Sequence, residues 1–102
     1  MDLRKYSNTQ ILQILGLRFK DYRLLMNYSQ GDLAKAAGVS VSTVHKFETG
    51  TITNMNITNL MALLRLVGLL NRFDYLIPEQ PENPYLSTQE HQRQRVRRKD
   101  NG

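Results

Sequence analysis

From Ser7 to about Ile77 the apolar positions recur at helical spacing, with no sustained alternation of apolar and polar residues. Ser7 and Gln10 stand at the spacing of a capping box. Ile11, Leu15, Phe19, Tyr22 and Met26 then follow at steps of three or four. This predicts a first helix with those five residues on its inward face, ended at Asn27, because Asn tolerates left-handed backbone. A second helix is predicted from Ser29, with Asp32 as its capping-box partner, through Leu33, Ala34 and Ala37 to a stop at Gly38. A third runs from Ser40 to just before Gly50, with Val44 and Phe47 facing inward. The polar loop from Thr49 to Asn54 leads to a fourth helix capped by Asn56, with an apolar stripe of Leu60, Leu63, Leu64 and Val67 and a stop at Gly68. A short fifth helix is expected over residues 71–77, ended by Pro78.

Beyond Ile77 the pattern lapses. Pro78, Pro81 and Pro84 arrive together, followed by Gln, Arg and His with little apolar content. The expected organisation is a folded domain over residues 1–77 and a flexible, Pro-rich then basic tail over 78–102. There are no internal repeats.

Composition narrows the function. The chain's 102 residues suffice for one domain, and 40% hydrophobic content can build a modest core. No apolar run approaches the roughly 18 residues that a bilayer helix needs. The expectation is therefore a soluble cytoplasmic protein with no membrane partner. Cysteine is absent, which excludes disulfides and cysteine metal sites. The two histidines, His45 and His91, are far apart, and there is no Gly-rich phosphate loop, metal-ligand cluster or nucleophile motif. The reading is a non-enzyme with no catalytic residues, metal or cofactor. The charge of +5 and pI near 9.8 favour an anionic partner. Residues 1–77 carry nine Lys and Arg against five Asp and Glu, and the tail packs five cations between Arg93 and Lys99.

The most informative stretch is Ser29–Gly50, SQGDLAKAAGVSVSTVHKFETG. It reads as two short helices about a tight turn at Gly38. Ala34 and Ala37 let the second of the pair pack closely, and Leu33, Val39, Val44 and Phe47 lock the two together. On spacing alone this fits either a helical hairpin of an ordinary bundle or a DNA-binding unit.

The segment resembles the helix-turn-helix of lambda-repressor/Cro-like (XRE) regulators. The matching elements are Ser29-Gln30, Leu33-Ala34, Gly38, Val39-Ser40 and Glu48-Thr49-Gly50. Leu15-Gly16, Arg18, Phe19 and Arg23 resemble the family's first helix, and Asn56 to Leu60 the start of its fourth. The likeness covers about residues 14–77. It departs at Gly31, where a helix former is usual, at Asn27, where Gly is usual, and in a slightly long turn at Leu69-Leu70-Asn71.

The resemblance implies an all-α, compact five-helix lambda-repressor-like DNA-binding domain with a flexible C-terminal tail. It implies sequence-specific binding of double-stranded DNA by a homodimeric transcriptional regulator, most simply a repressor. In the family the third helix enters the major groove. Carried over, the base readers are Val41, Ser42, Thr43 and Lys46, with His45 beside them, and their donors and methyl groups suit base edges. Ser29 and Gln30, with the amide groups opening the second helix, would hold a phosphate. Thr49, Thr51 and Asn54 are further phosphate candidates. Arg23 and Glu48 are paired in the family as a structural salt bridge.

A protein-interaction role competes or coexists with this. Leu17, Leu24 and Leu25 stand where the family usually places polar residues. The closing Ile77-Pro78-Glu79 and the tail are similar to HipB-like antitoxins, which bind a toxin kinase and repress their own operon.

Overall fold

Four helix starts and four helix stops organise the chain, and each is set by local chemistry. The computed structural model describes residues 1–81. Its α-helices are α1 (Asn8–Leu25), α2 (Gln30–Ala37), α3 (Val41–Thr49) and α4 (Ile57–Leu66). Single 3-10 segments lie at Leu3–Lys5 and Leu70–Tyr75, and there is no strand among the described residues. Ser7, Ser29, Ser40 and Asn56 cap the four α-helices, each side-chain oxygen accepting a hydrogen bond from a first-turn amide. At Ser7 the box closes in both directions, Gln10 Oε1 accepting from the Ser7 amide at 2.9 Å. At Ser29 only half of the expected box forms. Ser29 Oγ accepts from the Asp32 amide at 3.0 Å, but the Asp32 carboxylate, one methylene shorter than Glu, makes no return bond.

Each α-helix ends on a left-handed residue: Asn27, Gly38, Gly50 and Gly68, with φ between 60° and 78°. In each case the next amide reaches back five residues, as Val39 N donates to the Ala34 carbonyl at 3.0 Å and Leu69 N to that of Leu64 at 2.9 Å. This satisfies carbonyls that a helix end would otherwise leave open.

α1 packs against α3, and α2 packs against α3 and α4. The core is Phe19, Leu33, Ala34, Val44, Phe47, Ile52, Leu63 and Val67. The Phe19 and Phe47 rings meet at 5.5 Å with a 41° tilt, within the favourable range for aromatic pairs. The predicted stripe on α4 holds, with Leu63 and Val67 buried and Leu60 and Leu64 packed beside them.

The predicted inward face of α1 is corrected. Leu15, Tyr22 and Met26 are 41%, 42% and 48% exposed, whereas Gly16, Phe19 and Arg23 are buried and Leu12 packs against the core. The helix is rotated because its closest contact needs a glycine and its deepest polar contact needs an arginine. Two further details concern the connections. Ile52 is buried and pins the polar loop after α3, its amide donating to the Lys46 carbonyl at 3.1 Å. The short fifth helix expected over 71–77 is present as the 3-10 helix Leu70–Tyr75, one residue earlier at its start and two at its end.

The chain divides into a compact unit, Met1–Arg72, and a second beginning at Phe73. No helix among the described residues is long and apolar enough to cross a membrane. The run Arg93–Lys99 lies outside the described residues.

Candidate nucleic-acid interface

The turn between α2 and α3 is three residues long, Gly38-Val39-Ser40. Gly38 (φ 70°, ψ 32°) reverses the chain, half-buried Val39 packs on the core, and Ser40 opens α3. Leu33 and Ala34 from α2 and Val44 and Phe47 from α3 are buried between the helices. This holds α3 with one face inward and the other outward. Val41, Ser42, His45 and Lys46 lie on the outward face and are exposed. The side chains of Ser42, His45 and Lys46 have no hydrogen-bond or ion-pair partner among the described residues, so their donors are available. Thr43 differs. It is half-buried, and its hydroxyl lies 2.8 Å from Ser40 Oγ, within the helix cap.

Behind this face, α3 is bolted to α1 by a buried ion pair. Arg23 Nε donates to Glu48 Oε2 at 2.6 Å and Arg23 Nη2 to Glu48 Oε1 at 2.8 Å. The third arm, Nη1, donates at 2.7 Å to the carbonyl of Tyr28 in the α1–α2 turn. The hydrogen-bonded Glu48 carboxylate holds the Arg23 guanidinium above its ordinary pKa, against the opposing effect of burial. A bidentate pair of this kind fixes geometry as well as charge. Its net contribution to stability is small compared with the cost of removing one partner.

Gln30 joins the same network. Its Nε2 donates to Glu48 Oε1 at 3.1 Å, linking the start of α2 to the ion pair. The sequence pattern points to Gln30 only as a phosphate ligand, and a contact with a residue 18 positions away carries no local signal. Ser29 Oγ accepts from the Asp32 amide, which leaves its own proton for another acceptor.

Thr49 and Thr51, read from the sequence as phosphate candidates, are engaged elsewhere. Thr49 Oγ1 donates to the His45 carbonyl at 2.9 Å and lies 3.0 Å from Thr51 Oγ1. Thr51 Oγ1 also lies 3.5 Å from the Lys46 carbonyl, and both hydroxyls are exposed. Both also sit at the carbonyl end of α3, where the helix dipole repels anions.

Asn54 is exposed and lines a cleft of about 460 Å³ between α3 and the start of α4, together with Thr43, Lys46, Asn56 and Asn59. Asn59 was not foreseen. The signal was there as a third amide side chain within six residues of Asn54.

A short first helix element, a tight glycine turn and a second helix with an uncommitted polar outer face define a helix-turn-helix. A model of the helix-turn-helix family matches residues 19–69, half of the chain. The chain belongs to that family in its lambda-repressor/Cro-like (XRE) form, and is a DNA-binding transcription regulator. No curated protein matches it.

Proposed function

We propose that the chain represses transcription by binding its operator as a two-fold dimer, each α3 placed in the major groove. The observation that carries this reading is the exposed, uncommitted row Val41, Ser42, His45 and Lys46, presented by a helix that Phe47 and the Arg23–Glu48 pair hold rigidly from behind. Lys46 donates to guanine O6 or N7, Ser42 bonds a neighbouring edge, and Val41 packs on a thymine methyl. Thr43, tied to the Ser40 cap, is a lesser reader. The α2 N-terminus, with Ser29 and the free part of the Gln30 amide, holds a backbone phosphate, and Asn54 holds another. Dimerisation follows from reach, because one such helix reads only a few base pairs. The DNA-binding domain is taken as residues 1–77, with 78–102 a tail whose cations add sequence-independent attraction.

The test is selection from randomised duplexes by the full chain, with sedimentation of the free and bound protein. An inverted repeat whose half-sites lie about 34 Å apart, bound by two chains, is expected. A single half-site bound by one chain overturns the dimer.

The exposed Leu17, Leu24 and Leu25 favour a second reading, an antitoxin that binds a HipA-like kinase toxin and represses its own operon. A toxin-kinase reading frame beside its gene, and co-purification of the two products, would support that reading.

A further inference from the structure

On the side of α3 away from the base readers, α1 and α4 leave an apolar groove of about 200 Å³. Leu15 and Tyr22 of α1 form one wall, and Leu60 and Leu64 of α4 the other. Phe19 and Phe47 floor it. Phe47 follows Ser42 by five residues, about 140° round the helix, so the groove and the reading face point in different directions. Leu15 and Tyr22 are each more than two-fifths exposed, although both are large and apolar. Arg18 and Arg72 stand at the rim. Neither forms an ion pair among the described residues, where the salt bridges are Arg4–Asp2 and Arg23–Glu48.

We propose that this groove docks an acidic amphipathic helix of a partner protein, its apolar side chains seated between Leu15, Tyr22 and Leu64 and its carboxylates on Arg18 and Arg72. The shape sets the first limit. The volume falls below the roughly 300–1,000 Å³ of small-molecule sites, but it suits large side chains entering from a helix laid across two others. Charge sets the second. An apolar centre rimmed by arginines and walled by a tyrosine is the composition of a protein contact, and the rim selects carboxylates. A two-fold contact of groove on groove between copies of this chain would bring the same arginines to face one another. The chain's own C-terminal run, Arg93 to Lys99, also carries the wrong sign. Duplex DNA offers no apolar side chain to fill the floor. The inference does not depend on the operator reading, since a chain that bound no DNA would give the same result in the test below.

The probe is a labelled synthetic helical peptide of about 15 residues, with Leu at every third or fourth position and Glu on both flanks. A twin peptide carries Lys in place of Glu. The full chain should bind the Glu peptide at least about tenfold more tightly than the Lys peptide. Amide resonances of Leu15, Tyr22, Leu64 and Arg72 should shift on titration. Arg18→Glu with Arg72→Glu, two exposed positions, should reverse the preference while leaving the thermal melt in place. Leu15→Glu should abolish binding of both peptides. The proposal is overturned if the peptides bind equally, if neither binds, or if the double charge reversal leaves the preference unchanged. It also fails if Leu15→Glu turns a dimer that binds no peptide into a monomer, because the groove would then be a contact between copies of this chain.

Discussion

The α-carbon of Gly16 lies against the backbone of Phe47. A Cβ placed on Gly16 would stand 1.7 Å from the Phe47 carbonyl oxygen and 2.6 Å from its carbonyl carbon. No side chain fits there, so α1 and α3 cross as closely as backbones permit. Gly16→Ala should therefore destabilise the protein, despite the roughly 1 kcal/mol that Ala gains over Gly in a helix interior. Overpacking of this kind costs about 1–3 kcal/mol, and backbone has little room to yield. Phe47→Ala should itself cost about 3–5 kcal/mol. It should not rescue Gly16→Ala, because two of the three nearest atoms are backbone. Denaturant melts of the two single variants and the double decide this. A stabilising Gly16→Ala would mean that the helices do not cross so closely.

Gly31 is the opposite case. It lies in the first turn of α2, and a Cβ there meets nothing within 4 Å. Gly31→Ala should raise stability by about 0.5–1 kcal/mol through the reduced entropy of the unfolded chain. A higher denaturant midpoint with an unchanged slope is the expected result.

Removing either member of the Arg23–Glu48 pair leaves the other buried and unpaired, so Arg23→Ala and Glu48→Ala should each cost about 3–5 kcal/mol. Arg23→Ala with Glu48→Ala should cost much less than the sum of the two. It should still fall short of wild type, because the Tyr28 carbonyl and the Gln30 amide lose their partners. A double-mutant cycle of urea melts measures the coupling. Additive losses would show that the two residues act independently.

Base reading and phosphate attraction should separate in a selection experiment. Lys46→Ala and Ser42→Ala should each lose about 1–3 kcal/mol at one position of the site and relax the preference there. Gln30→Ala should weaken all sequences about equally and also lower stability slightly, since Glu48 keeps its two bonds from Arg23. A chain ending at Leu86, without the cations from Arg93 to Lys99, should keep the consensus and show a flatter dependence on salt. If the shortened chain lost the consensus while Lys46→Ala kept it, specificity would reside in the tail.

The sequence by itself determined where the helices begin and end. Ser7, Ser29, Ser40 and Asn56 start them and Asn27, Gly38, Gly50 and Gly68 stop them, because caps and left-handed stops are chemistry among residues at most six apart. It also determined the two-helix unit from Ser29 to Gly50 and the outward position of Ser42 and Lys46, which follow from helical periodicity. The tertiary structure alone decided which face of α1 turns inward. Hydrophobicity placed Leu15, Tyr22 and Met26 there, but a glycine and an arginine took the inward line. The value of Gly16 is the absence of a side chain against Phe47, and Arg23 is buried only because Glu48 arrives from a helix 25 residues away. For the same reason the Gln30–Glu48 bond and the groove rimmed by Arg18 and Arg72 had no local signal. Each is a meeting of residues distant in the chain, and distance along the chain is what periodicity and capping cannot span.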